Sequence, residues 1–188
     1  DQMPDIISLL KKSCDSAYYL LDNLLFWSRS QRNELIHKPE TFLASDIFDE
    51  VLLDLNKRIK EKNIEINFEE NPTVNVYTDP GMFENIIRNI LLNAITYTPE
   101  NSHINISFLQ NTSVINFTFT DQGPGIPENE LSTIFQSYAL PQHKKRKSNG
   151  AGLGLIVCKT LVEKSGGKFE LSNQEKGGLE VNFSLPKI

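Results

Sequence analysis

The sequence predicts an α+β chain: a sheet with helices packed on one face, preceded by a long N-terminal bundle helix. Three observations carry this. Residues 5–34 contain neither Gly nor Pro and repeat apolar residues at helical spacing. Short segments of alternating polarity recur after residue 63, bounded by Asn, Pro and Gly. Between them stand further stretches with apolar residues three and four apart, so helices are interleaved with strands and hairpins.

Ile7, Leu10, Cys14, Ala17, Leu21, Leu24 and Ser28 follow alternating steps of three and four, a heptad seam. Leu20, Leu25 and Trp27 widen the apolar face as a bundle helix requires, so this helix needs a partner helix or a second subunit. "HKPETFLAS" breaks the pattern at Pro39 and offers Ser45 as an N-cap. A helix to about Lys62 follows, with Ile47, Val51, Leu52, Leu55 and Ile59 inward. "IEINF" and "VNVYT" read as two short strands around Asn71-Pro72, and Asp79-Pro80-Gly81 opens a second helix. "INISFL" and "VINFTFT" form a hairpin around "QNTS". A glycine loop, "DQGPGIP", leads into a short helix, "ENELSTIFQSY". The polar stretch "PQHKKRKSN" ends in "GAGLGL", which opens the helix "LIVCKTLVEKSGG". "KFELS" and "LEVNFSL" close as a last hairpin.

Composition narrows the function classes. At 188 residues the chain holds one core of ordinary size plus an appendage. A net charge of −5 argues against a general nucleic-acid binder, which usually carries a basic surface. Cys14 and Cys158 form no CxxC pair, which fits a reducing compartment. No apolar run approaches the ~18 residues of a membrane span, and no signal-peptide pattern is present. The opening "DQMPDIISLL" reads as the middle of a longer chain.

The second helix carries an oddity. Its run "RNILLNAITYT" is strongly apolar, yet Asn85, Asn89 and Asn93 stand four apart and share one helical face. Asn is a poor helix former, and a buried amide without partners costs roughly 1–3 kcal/mol. Two glycine clusters accompany this stripe. Gly150, Gly152 and Gly154 stand before a helix, where the backbone can approach a ligand closely and unpaired N–H groups face phosphate. They are neither a dinucleotide fingerprint nor a P-loop, because no βαβ unit surrounds them and no GK[ST] ending follows. A tight turn packing helix on sheet is the bland reading. Asp121, Gly123 and Gly125 follow an apolar strand, and an ionised carboxylate there can accept from an exocyclic amine such as adenine N6. In isolation, D-x-G more often marks a simple turn.

Taken in order, these motifs resemble the catalytic and ATP-binding domain of sensor histidine kinases, within the wider group that includes the Hsp90, MutL and gyrase ATPases. "NIIRNILLNAITYTP" is similar to the N box, "DQGPGIP" to the first glycine box, "IFQSY" to the F box and "GAGLGL" to the second glycine box. "LLDNLLFWSRSQRNEL" is similar to the end of the second helix of the dimerisation and phosphoacceptor hairpin. The resemblance thus covers nearly the whole chain. It implies a two-layer α/β sandwich with a mixed sheet, residues 1–36 being the second hairpin helix and 37–188 the ATP-binding domain. It implies ATP and Mg²⁺ as ligands, with Asn93 on the metal and Asn89 on phosphate or the metal's waters. A neutral amide suits that place, since Mg²⁺ takes hard oxygen ligands and is held largely through the nucleotide phosphates. Tyr97 falls near the nucleotide, and Asp121 accepts from adenine N6 with Gly123 and Gly125 shaping the base pocket. Gly150, Gly152 and Gly154 fold a lid over the phosphates, while Leu153 and Leu155 are core contacts. The implied partners are a response-regulator receiver domain and, through the N-terminal helix, a second copy. The implied location is cytoplasmic, as part of a bacterial sensor.

The departures from the pattern are informative. In ATPase relatives a Glu four residues before the metal-binding Asn activates water; here that place holds Asn89, and Glu84 is out of phase. Slow hydrolysis follows, leaving the γ-phosphate for an imidazole. Thr96 replaces a frequent Lys or Arg, and Lys144, Lys145, Arg146 and Lys147 are candidates to compensate. His37, His103 and His143 lack the H-E-x-x-x-P context of the family's acceptor, so the phosphorylated histidine lies outside this sequence. Two further readings are a degenerate nucleotide-binding or scaffold module and an anti-sigma-type serine kinase. The bundle helix and the missing Glu argue against the latter.

Overall fold

The computed structural model describes residues 21, 28, 37–69, 73–135 and 151–187. Leu21 and Ser28 are helical; the rest of the heptad segment, the basic run 144–147 and Gly150 lie outside the described residues, so those expectations stay untested.

Among the described residues from 37 on, the elements are, in order, β1 (Glu40–Leu43), α1 (Ala44–Glu61), β2 (Glu65–Phe68), β3 (Asn75–Thr78), α2 (Pro80–Tyr97), β4 (His103–Gln110), β5 (Val114–Thr120), α3 (Glu128–Leu131), α4 (Ala151–Lys164), β6 (Lys168–Asn173) and β7 (Leu179–Pro186). Five strands form one sheet in the order β2-β4-β5-β7-β6. The β2–β4 pair is parallel and the others are antiparallel, so the sheet is mixed. A parallel pair needs a crossover, and α2 lies within the connection that makes it.

Alternation along β5 and β7 buries Ile115, Phe117 and Phe119 together with Val181, Phe183 and Leu185. Onto that face pack Phe48, Val51 and Leu55 of α1, Phe83, Ile86, Ile87 and Ile90 of α2, and Cys158, Leu161 and Val162 of α4. Phe83 meets Phe117 edge-on at 5.5 Å, and Phe117 stacks on Phe183 at 4.8 Å, so the helix and sheet layers share one aromatic cluster. The expected two-layer sandwich with helices on one face is what forms.

Two local expectations are corrected. "ETFL" is a strand: β1 pairs antiparallel with β3 in a separate two-stranded sheet. The two short strands around Asn71-Pro72 form as expected, β2 joining β4 and β3 joining β1. Ser45 is no N-cap. Helix α1 starts at Ala44, whose N–H donates to the Val74 carbonyl at 3.0 Å, a tertiary partner in place of a side-chain cap. At α2 the expected start holds: Pro80 opens the helix and Asp79 Oδ1 accepts from the Met82 N–H at 3.0 Å. Its far end is closed by Lys62, whose Nζ donates to the carbonyls of Ile95, Thr96 and Thr98 at 2.8 Å each. A cation there meets the negative end of the helix dipole.

Candidate functional site

Helix α2 answers the question its asparagines raise. Asn89 is 3% exposed, and its amide nitrogen donates to the Asn85 carbonyl at 2.9 Å and to Asn85 Oδ1 at 2.7 Å. The i,i+4 spacing thus lets one amide satisfy another, and Asn89 is held inward. Asn93, one turn on, is half-buried, and among the described residues its carboxamide has no hydrogen-bond partner. Its whole carboxamide is thus available to a ligand. Glu84 accepts from Arg88 at 2.7 Å, and Arg88 also donates to Asp54 of α1 at 2.9 Å. The Glu84 carboxylate is thereby committed to an ion pair toward α1. Thr96 donates its hydroxyl to the Leu92 carbonyl at 2.6 Å, within its own helix. The Tyr97 ring is 39% exposed at the end of α2, and partial burial pushes its phenol above the ordinary value.

The first glycine loop leaves β5 beside that helix end. Asp121 is 6% exposed; its Oδ1 accepts from the Gly123 N–H at 2.7 Å and from the Leu179 N–H at 3.2 Å. Among the described residues Oδ2 accepts no hydrogen bond. Burial raises the carboxyl above the usual carboxylate range, and the two N–H donors oppose that rise. A β-carbon on Gly123 would lie 3.1 Å from the Tyr97 carbonyl oxygen and 2.9 Å from Asp121 Oδ1, so the loop presses against the end of α2. Gly125 has φ +70°, the left-handed region that glycine takes without strain. The structure therefore brings Asp121 and Gly123 beside the Tyr97 backbone.

The second glycine cluster differs from its sequence reading. Helix α4 begins at Ala151, so Gly152 and Gly154 lie in its first turn and not in a loop before it. Leu153 and Leu155 are buried, as their core assignment requires. Ile134 and Phe135 of the F box are also described. Ile134 is buried, and the Phe135 ring meets Phe169 edge-on at 6.0 Å with Lys159 Nζ 5.4 Å above it.

Two residues of this region escaped the sequence reading. Gly178 has φ +112°, and a β-carbon there would lie 2.0 Å from the Asp121 carbonyl oxygen. Asn173, at the end of β6, accepts from the Ile126 N–H at 2.8 Å and donates to the Ile126 carbonyl at 2.6 Å. The Gly177-Gly178 pair in the closing turn was the visible signal for the first; a lone Asn at a strand end gave none for the second.

Residues 78–188 match the family described as "Histidine kinase-, DNA gyrase B-, and HSP90-like ATPase". With that match over more than half its length, the chain belongs to this family. Within it the chain is an ATP-binding catalytic domain of the histidine-kinase type, as its relatives indicate. Sensor protein KdpD of Clostridium acetobutylicum is 31% identical over 97% of the chain and 20% of its own length. Adaptive-response sensory kinase SasA of Prochlorococcus marinus is 34% identical over 95% of the chain and 48% of its own length. The chain thus spans less than half of these curated relatives. Among solved structures, the nucleotide-free catalytic domain of histidine kinase ThkA superposes with a TM-score of 0.68 at 27% identity, covering 80% of the chain and 96% of the domain. ThkA in complex with response regulator protein TrrA gives 0.77 at 24% identity, over 100% of the chain and 52% of that structure. Among the described residues no helix is long and apolar enough to cross a membrane.

Proposed function

We propose that this domain binds ATP between the first glycine loop and helix α2, and presents the γ-phosphate to a histidine outside this sequence. The observation that carries the reading is Asp121. A carboxylate 6% exposed, with Oδ1 engaged by two backbone donors and Oδ2 unengaged, is built to accept from a donor that the protein does not supply. The adenine 6-amino group is that donor. Gly123 lets the loop press against the end of α2 at Tyr97, and Gly125 lets it close on Asn173, so the two glycines set the loop that carries Asp121.

On the phosphate side, the half-buried and unengaged Asn93 amide fits a hard divalent cation, and Asn93 is the residue that would hold Mg²⁺. When bound, the ion neutralises phosphate charge. Asn89 supports this face from behind through Asn85, with Gly150, Gly152 and Gly154 at the phosphate end. On α2 the candidates for a general base are spoken for: position 89 is an amide and Glu84 is paired with Arg88. Water activation is therefore weak, and the domain holds ATP for an imidazole acceptor placed in line with the γ-phosphate. Residues 1–36 serve as one helix of a dimerising hairpin. The receiving protein is a response-regulator receiver domain, a reading supported by the TrrA complex of the similar ThkA fold. A cytoplasmic location suits these ligands and partners.

Titration with a non-hydrolysable ATP analogue, with and without Mg²⁺, beside Asn93→Ala, tests the site. Magnesium-dependent binding lost in the variant is expected. Absence of binding by the folded protein would remove the reading and leave a scaffold module. Steady ATP hydrolysis at about 1 s⁻¹ or faster would contradict the missing base.

A further inference from the structure

The closing hairpin touches the first glycine loop at three separate points. Leu179, the first residue of β7, donates its N–H to Asp121 Oδ1 at 3.2 Å and accepts the Asp121 N–H at 3.1 Å. Gly178 packs so closely on the Asp121 carbonyl that no β-carbon fits. Asn173, paired in register with Leu179 across the hairpin, reaches the other end of the loop. Its carboxamide takes both backbone groups of Ile126, as an adjacent strand would, and its amide nitrogen also lies 3.2 Å from Glu128 Oε1. A β-carbon on Gly125 would fall 2.5 Å from Asn173 Oδ1, so the loop's second glycine is required by this clamp as well as by its own φ.

We propose that Asn173 is a positioning residue for base recognition: by clamping Ile126 it fixes the Asp121–Ile126 loop so that the Asp121 carboxylate meets the adenine amino group. The inference rests on the reading of Asp121 given above. The Leu179 and Gly123 donors set one carboxylate oxygen, but they act at the loop's first half only. Without Asn173 the second half, Gly125 to Pro127, loses the two side-chain bonds that tie Ile126 to the sheet. The loop is then free to shift Gly123 and, with it, the carboxylate.

The test compares affinities of the protein for Mg-ATP and for Mg-purine riboside triphosphate, which is ATP without its 6-amino group. Wild type is expected to prefer ATP by about tenfold or more, the worth of one charge-assisted hydrogen bond. Asn173→Ala is expected to bring that ratio close to one while affinity for the amine-free analogue changes less than about threefold. A merely structural role would weaken both nucleotides together. Asn173→Asp keeps the acceptor toward the Ile126 N–H and loses the donor, so it lowers the ratio if the alanine variant does not fold. An undiminished ratio in a folded variant overturns the proposal while leaving the Asp121 reading intact. A wild type indifferent to the amino group removes the Asp121 reading, and the proposal falls with it. Failure of both variants to fold makes Asn173 a folding residue and also overturns it.

Discussion

The two sides of the proposed site are built in opposite ways. The proposed metal side is local: Asn85, Asn89 and Asn93 need only the pitch of one helix to share a face, and the Asn89 amide donates to Asn85 within that helix. The base side is distant in sequence: Asp121 takes a donor from Leu179, and the loop it begins is pinned by Asn173. One side therefore survives as long as α2 does. The other exists only while the last hairpin is docked.

The variant with the largest expected effect breaks the base side. Gly178→Ala forces a β-carbon against the Asp121 carbonyl in a backbone conformation that disfavours L residues. It should cost about 3 kcal/mol or more in chemical denaturation and remove nucleotide preference. Asn93→Ala is the opposite break. It should lower Mg-dependent ATP affinity about 10- to 100-fold, measured by calorimetry, with the melting temperature and the preference for adenine preserved.

Asp121→Asn sharpens the contrast by separating stability from binding. The folded-state carboxyl titrates above its unfolded value, so between the two values the native state holds more protons, and stability is lost as pH rises through that window. The asparagine removes this penalty and keeps an oxygen for the Gly123 and Leu179 donors. Denaturation at neutral pH should therefore show the variant as stable as wild type or more so. The difference should vanish at pH below the ordinary carboxylate range, and ATP preference should be lost throughout. A variant less stable at neutral pH would show that the anion's hydrogen bonds outweigh its desolvation. The smallest effect is expected at Lys62→Met, which uncaps α2. A loss of about 1–2 kcal/mol in denaturation should accompany little change in base preference.

The same division explains what the sequence disclosed. Helix α2, its Asp79 cap and its polar stripe were legible because every signal lies within one helical repeat. Asp121, Gly123 and Gly125 were legible as a motif, but their brace was not, since it joins residues 47 and 58 positions apart. Strand β1 was missed for a related reason. "ETFL" is four residues long, follows a proline, and becomes a strand only by pairing with β3. Ser45 carried the composition of a cap, yet the helix already begins one residue earlier, at Ala44, whose N–H the Val74 carbonyl accepts. The start of α4 was misjudged because glycine discourages helix interiors, while the buried Leu153 and Leu155 hold that first turn against the core.

The clamp between Asn173 and Ile126 also sets an order of events during synthesis. At translation rates of about 5–20 residues per second, the loop at 121–126 is made roughly 2–10 s before the strand that holds it. A nascent chain that ends before residue 168 carries every recognisable element of the base motif and none of its brace. Helix α2 with its amide stripe is already complete by then. A growing chain thus acquires the proposed place for the metal first and the proposed place for the base last.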